Sequence, residues 1–497
     1  MTIKNKFSIS LIAFGVSFGV SSAIAAPWVD TQDPYLKASI TALANSGIIK
    51  SPINTYPLMY KSIASDLKKA HGGKLPPHLA FALKHVEHSL MQAQKSRTSG
   101  IKIKAASNTD AEHFQSFGER HTAKGELNIF NEIIGDNIAF KSSVHFTTDA
   151  YNNKKRSYEG SYLAGIFENW VVSLDQVSAW WGPGIDNALA LSNNAVAFPA
   201  VRLTRHSSEA IDWPLIRHLG PISMTTYFGQ QEHSNIRSNI RTWGARVNFK
   251  PFESFEFGVS RTAQWGGAGR PRDFSTFVDL LIGNDNATPD NQTSIANEPG
   301  NQLAGFDFRW NVNLFNQNLG FYGEIIGEDE AGGLPSHPMY SLGASTSFGD
   351  SKGIYQLFAE YTNTYMDCND DASSGNCAYE HHIYFEGYRR YGRSMGSTYD
   401  SDAQVLTFGL SRAEVGGNSW FSKLKFMKLN KDNLNHWSGA HPISPNAQDR
   451  VQLEGGYRLP VFNGLLNVEG ALFHSKFDHD GSNNTKASLK ATWEYRF

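Results

Sequence analysis

Beyond its first 25 residues the chain has no apolar run approaching about 18 residues, the length a bilayer-crossing helix requires. Helical membrane proteins are thereby excluded. Cysteine is almost missing, with only Cys368 and Cys377 in 497 residues. Without a second thiol pair a zinc site is disfavoured. In an oxidising, exported setting the two cysteines predict a disulfide that closes a loop. An excess of either charge is also missing: 45 Lys+Arg stand against 47 Asp+Glu, a net charge of −2. That balance argues against nucleic acid as a partner. There is no G-x-x-x-x-G-K-[ST] phosphate loop and no H-E-x-x-H zinc motif. Asp367, Asn369 and Asp371 begin like a calcium loop, but Ala372 and Ala378 stand where that motif needs Gly and Glu, which leaves room only for a looser calcium loop. His85 and His88 flank Glu87 and read as surface histidines. The chain does not read as an enzyme, and no catalytic residue, metal or cofactor is expected.

What is present begins with an address. Lys4 and Lys6 precede an apolar run from Phe7 to Val20, and Ala23-Ile24-Ala25 supplies small residues. This is the pattern of a secretory signal peptide over residues 1–25, cleaved after about Ala25. Its removal leaves 43 basic and 47 acidic residues. Residues 26–98 then read as a small helical domain. Asp33-Pro34 has the form of an N-cap followed by proline in the first turn. Leu36, Ile40, Leu43 and Ala44 fall on one face. A short helix is expected over 61–70 and a longer one over 77–94.

From residue 99 to Phe497 the period falls from about 3.6 to 2. Phe306, Phe308, Trp310, Val312 and Leu314 alternate with Asp307, Arg309, Asn311 and Asn313. Strand side chains point alternately to opposite faces, so such a strand has one oily and one strongly polar side. Overall hydrophobic content is only 40% and mean hydropathy is negative, as befits a barrel whose inner face is wet. Aromatics at 12% and 44 glycines suit interfacial girdles and tight turns. Short turns near 134–137, 167–170, 250–253, 315–319, 349–353, 415–419 and 459–464 alternate with long polar connections. A longer connection at 207–220 breaks the rule. Eighteen candidate strands follow, ending on Leu489, Ala491, Trp493, Tyr495 and Phe497 in alternation with Lys490, Thr492, Glu494 and Arg496. The fold expected is a closed antiparallel transmembrane β-barrel, mainly β, of about 18 strands, over 99–497. Its inner wall would include Arg246, Asp307, Arg309, Glu360, Glu454 and Arg458.

The long loops carry Arg and aromatic residues together: Trp265, Arg270, Arg272, Tyr388, Arg389, Arg390, Tyr391, Arg393 and Trp437, with His441 nearby. Aromatic faces stack on sugar rings, and guanidinium forks grip carboxylates. Acidic polysaccharide suits that mixture; loop arginines on lipopolysaccharide phosphates are the plainer reading.

Trp180-Trp181-Gly182-Pro183-Gly184, then Leu191-Ser192-Asn193-Asn194-Ala195, Phe198-Pro199 and Leu203-Thr204-Arg205, resemble the signature of the capsule assembly Wzi family. The start of the chain, Trp28-Val29-Asp30 through Asn54-Thr55-Tyr56-Pro57-Leu58, is similar to that family's start. The resemblance implies an outer-membrane barrel with a periplasmic helical domain, acting as a lectin that attaches or organises capsular polysaccharide. Implied partners are capsular or exopolysaccharide, outer-membrane lipid and lipopolysaccharide, and polysaccharide export machinery. Gly182, Pro183 and Gly184 suit a tight turn, and Trp180 and Trp181 an interface belt. A diffusion porin and a barrel-embedded hydrolase are the rival readings.

Overall fold

The computed structural model describes residues 27–70, 74–93, 99–110, 114–121, 123–150, 152, 154–231, 238–282, 300–314, 317–331, 334–336, 338–366, 377–434, 439 and 441–497. Eighteen antiparallel strands close into a barrel in up-and-down order, each paired with its neighbours along the chain and the last with the first. They are β1 Ser99–Asn108, β2 Gly125–Ile134, β3 Ile138–Thr148, β4 Tyr162–Phe167, β5 Trp170–Asp175 and β6 Ala200–Arg205. Next come β7 Ile222–Gln231, β8 Ile240–Phe252, β9 Phe255–Gly266, β10 Gly300–Leu314, β11 Gln317–Gly327 and β12 Met339–Asp350. The circuit ends with β13 Gly353–Asn363, β14 Gln404–Glu414, β15 Ser419–Leu429, β16 Gln448–Val461, β17 Gly464–Phe477 and β18 Asn483–Arg496.

Closure follows from the alternation. Val247, Val259, Trp310, Leu342, Leu357, Phe408, Val451, Leu472 and Leu489 are exposed on the outside, whereas Arg246, Asp307 and Arg309 are buried within. An oily outer wall needs lipid, and in lipid every backbone group must pair inside the protein, which a sheet without edges achieves. Tyr495 sits between Trp493 and Phe497, ring centroids 5.6 and 4.7 Å away, where the last strand meets β1. Short turns gather at one end, called the turn end here, and long connections at the other, the loop end.

The helical segment does not stand apart from the barrel. Helices α1 Pro34–Asn45, α2 Tyr60–Ala70 and α3 Pro77–Ala93 fill its turn end. The α1 N-terminus is capped by Asp33, whose Oδ1 accepts from the N–H of Tyr35 and Leu36 at 3.0 and 3.2 Å. Apart from Pro34, every α1 residue is buried, because α1 lies between α3 and the inner faces of β11 and β14. The 207–220 connection is long because it cradles α2: the Ser208 N–H donates to Ser62 Oγ at 3.0 Å. Its Trp213 and Leu215 project outward, fully in keeping with an interfacial rim.

Candidate functional site

An 18-stranded cylinder has room for a water-filled lumen. Here the chain occupies much of that space itself. The β5–β6 connection, residues 176–199, turns inward, and Trp180–Trp181 pairs antiparallel with Thr55–Tyr56 of the N-terminal segment. Both tryptophans are fully buried, so the belt position expected for them is corrected. An indole suits a packed interior as well as an interface, and the motif itself is structural. A Cβ on Gly182 would lie 2.9 Å from a Glu324 oxygen, and one on Gly184 would lie 1.9 Å from the Asn187 carbonyl. Glycine at 184 lets the turn fold this tightly on itself, and glycine at 182 lets it approach the wall.

The wall of β8–β13 holds this plug with charged side chains. Glu360 accepts from the N–H groups of Ile185, Asp186 and Asn187 at 2.8, 3.3 and 2.8 Å. Glu324 accepts from Leu189 and Ala190 at 2.9 and 3.1 Å. Glu256 accepts from Ile53 and Asn54 at 2.9 and 3.0 Å. Arg309 donates to the Pro183 carbonyl at 2.9 Å, and Arg246 donates to Thr55 Oγ1 at 2.7 Å while pairing with Asp307. Arg246, Asp307, Arg309 and Glu360 therefore do not line open water, as expected from sequence; they are buried anchors. Charged acceptors and donors suit this task because charge-assisted hydrogen bonds are the strong ones. Lys37 of α1 donates to the Gly184 carbonyl at 2.7 Å and lies over the rings of Phe117 and Trp180 at 4.0 and 4.8 Å. Burial, with help from the nearby Arg309 charge, holds its pKa well below the ordinary lysine value.

A second layer covers the plug from the loop end. It comes from the β13–β14 connection and contains most of the arginine cluster. Arg389 grips Asp400 through Nε at 3.0 Å and pairs with Glu380. Arg390 donates to the Val196 carbonyl at 2.9 Å, Arg393 to Asn194 Oδ1 at 3.2 Å, and the Tyr388 hydroxyl to the Ala190 carbonyl at 3.1 Å. All four side chains are buried. They fasten the cover to the plug. Tyr391 alone of this group reaches the surface, at the tip of the hairpin Arg389–Arg390/Arg393–Ser394, with Arg390 at 4.8 Å and Lys154 at 5.3 Å from its ring. Trp265 faces outward from β9 and is buried under a short helix outside the barrel. Arg272 is exposed near it, Arg270 is half-buried, and Trp437 lies outside the described residues. Cys377 is disulfide-bonded; Cys368 and the Asp367–Asp371 stretch lie outside the described residues. Sequence reading missed one further pair at the loop end: Lys431 lies over the half-exposed Tyr365 ring at 4.3 Å. The two are far apart in sequence, and neither sits in a motif.

The plug is eccentric. It presses on β8–β13 and leaves a crescent of about 770 Å³ beside β15–β18 and β1–β3. Its lining includes Lys102, Lys141, Phe473, Lys486, Glu469 and Arg496, and here Glu454 and Arg458 are half-buried, closer to the wet wall expected. From Arg496 to Lys486 the crescent follows β18 for roughly 33 Å of strand. Glu119, on the β1–β2 connection, borders it. Burial works to raise the Glu119 pKa, but the ammonium of Lys104 and the ring of His121 outweigh it and hold the value at about 2. A folded value below the ordinary 4.5 means that its stabilising contribution is complete above that pH and is lost as pH falls from 4.5 toward 2. The thermal midpoint in detergent is expected to drop across that window, with a shallower slope in Glu119→Gln. Equal slopes would rule Glu119 out as a cause.

A lipid-facing belt around a lumen largely filled by its own chain defines a transmembrane β-barrel with an internal plug. The model of the capsule assembly protein Wzi family matches residues 94–488, and the chain belongs to that family. It is 28% identical over 488 residues to an uncharacterized 55.8 kDa protein in the cps region of Klebsiella pneumoniae, covering 97% of this chain and 93% of that one. It superposes with a TM-score of 0.81 and 25% identity, over 96% of this chain and all of the other, on Wzi of Escherichia coli, an outer-membrane protein involved in group 1 capsule assembly and described as a carbohydrate-binding β-barrel. This chain too is an outer-membrane β-barrel.

Proposed function

We propose that the protein is a non-enzymatic, lectin-like barrel that binds capsular or exopolysaccharide at the cell surface and helps to attach or organise it. The observation that carries this reading is the near-complete superposition on a carbohydrate-binding barrel of the same family. A leader removed after about Ala25 delivers the chain to the periplasm, where the turn end with α1–α3 meets export partners, while the loop end faces outward among lipopolysaccharide. Since the buried arginines are committed to the fold, the glycan contacts fall to the surface pairs: Tyr391 with Lys154, and Tyr365 with Lys431. An aromatic face beside a cation suits an acidic sugar. Arg272, Arg270 and Trp437 complete the candidates.

The test is saturable binding of detergent-purified protein to polysaccharide from the producing cells. Tyr391→Ala and Tyr365→Ala are each expected to weaken it by about three- to tenfold, the value of one stacking contact. No saturable binding, together with unaltered capsule in a deletion strain, removes the proposal.

A hydrolase finds little support in the geometry. Ser401 Oγ lies 3.4 Å from His441 Nε2, but His441 Nδ1 accepts from the N–H groups of Ile443 and Ser444, so the ring proton sits on Nε2 and that nitrogen cannot act as a base. Gly349-Asp350-Ser351-Lys352-Gly353 spells a nucleophile-elbow pattern, yet it forms the β12–β13 turn, without the strand-to-helix bend an elbow requires.

A further inference from the structure

The β9–β10 connection carries a helix on the outside of the barrel. This is α4, Phe274–Leu281, capped at its N-terminus by Asp273, which accepts from the Thr276 N–H at 3.0 Å. Its inner side packs on lipid-facing residues. The Phe277 ring lies 5.4 Å from Phe228, 5.9 Å from Trp243 and 5.1 Å from Trp265, and Leu280 is fully buried. Trp243 is outward because it alternates with Thr242 and Gly244, which face the lumen. Arg261, also outward on β9, donates to the Leu280 and Leu281 carbonyls at 2.8 Å each. Both helix ends are thus satisfied within the protein, as a low-dielectric setting demands.

The opposite side of α4 is a stripe of Phe274, Val278 and Ile282, 78%, 37% and 70% exposed. Those positions are four apart and share a helix face. Above them stand two cations. The Arg241 guanidinium lies 4.7 Å over the Trp265 ring and donates to the Arg272 carbonyl at 2.7 Å, and Arg272 is exposed. Of the nearby acids, Asp273 is engaged in its cap and Asp279 is half-buried on α4. Height fixes the setting. Trp243 stands roughly nine residues above the turn-end rim at Phe252, about 30 Å of strand. Tilted by about 40°, that rises close to the full apolar band of about 25 Å. The stripe therefore lies at the outer-leaflet boundary with the arginines at headgroup level. Three side chains fall far short of the roughly 800 Å² per partner that a stable dimer uses, so a second copy is not the occupant.

We propose that α4 is an interfacial strap that seats Phe274, Val278 and Ile282 in the outer leaflet, and that Arg241 and Arg272 beside it hold the phosphate of a phosphorylated glycolipid. This rests on the barrel's membrane placement and is independent of the glycan reading. Among the described residues no cysteine is free, so Phe274→Cys can be labelled selectively with an environment-sensitive fluorophore. In vesicles containing lipid with a nitroxide near the headgroup, that label is expected to be quenched, whereas one on Lys155→Cys in the β3–β4 loop is not. In detergent, a bis-phosphorylated glycolipid is expected to bind about tenfold more tightly than its dephosphorylated form, by native mass spectrometry. Arg241→Gln with Arg272→Gln removes that preference. An unquenched Phe274→Cys label, or equal binding of the two glycolipids by the unsubstituted protein, overturns the proposal. Lost polysaccharide binding with both results intact touches only the function proposed above.

Discussion

Glu324→Ala combined with Glu360→Ala is expected to raise the single-channel current of the barrel to a large, steady level, well above that of the unsubstituted protein. These carboxylates accept five backbone N–H groups of the plug, between Ile185 and Ala190. Hydrogen bonds to charged groups are worth about 1.5–3 kcal/mol each, and a buried donor left without a partner costs a further penalty of about 1–3 kcal/mol. The loss falls on the plug and not on the barrel, because β11 and β13 keep their ladders to β10, β12 and β14. Local opening should therefore precede global unfolding. Glutamine at both positions retains an acceptor oxygen and should leak far less. A doubly substituted barrel that is fully folded, judged by heat-modifiable gel mobility, yet carries no more current than the unsubstituted protein would show that the carboxylates do not hold the plug.

Arg389→Ala should be the most damaging single change at the loop end. It removes the ion-pair partner that Asp400 and Glu380 share in a buried site, and breaking a buried ion pair typically costs about 3–5 kcal/mol. Arg389→Lys should rescue little, since an ammonium cannot reproduce the fork that also reaches the carbonyls of Tyr379 and Glu386. The expected signs are a lower thermal midpoint, new protease cleavage within residues 377–402, and weaker polysaccharide binding as Tyr391 loses its seat. If binding falls while midpoint and protease resistance are unchanged, Arg389 touches the glycan itself and the fold-fastening role is wrong.

These two effects come from the part of the molecule that sequence revealed least. The cylinder was legible because lipid imposes one rule on every strand: Phe306, Phe308 and Trp310 must alternate with polar residues wherever the lumen leads. The Asp33-Pro34 start of α1 was legible because a cap is a local device. Nothing local separates Arg309, sealed beneath the plug, from Arg458 at the edge of the crescent; both are inward and charged. The 176–199 connection has no period, and its partners on β11 and β13 lie well over a hundred residues away. Its glycines and tryptophans could be assigned to a turn but not to the interior. The arginine cluster at 389–393 was read by chemistry alone, and that chemistry serves carbonyls and carboxylates of the same chain as readily as those of a sugar.

The off-centre plug gives the cylinder two unlike halves, with consequences for how the chain can vary. On the half made by β8–β13 an inward charge is a rivet, and its removal leaves bare partners in a dry seam. On the half made by β15–β18 and β1–β3, Lys425 and Lys104 are still buried in ion pairs, but Lys102, Lys141, Arg458 and Lys486 border open space, so removing Lys486 exposes nothing that was dry. Replacing a charge that lines the crescent should therefore be nearly silent, and replacing a riveted one severe. Tolerance mapped around the circumference should rise and fall once per circuit, with its minimum opposite the crescent.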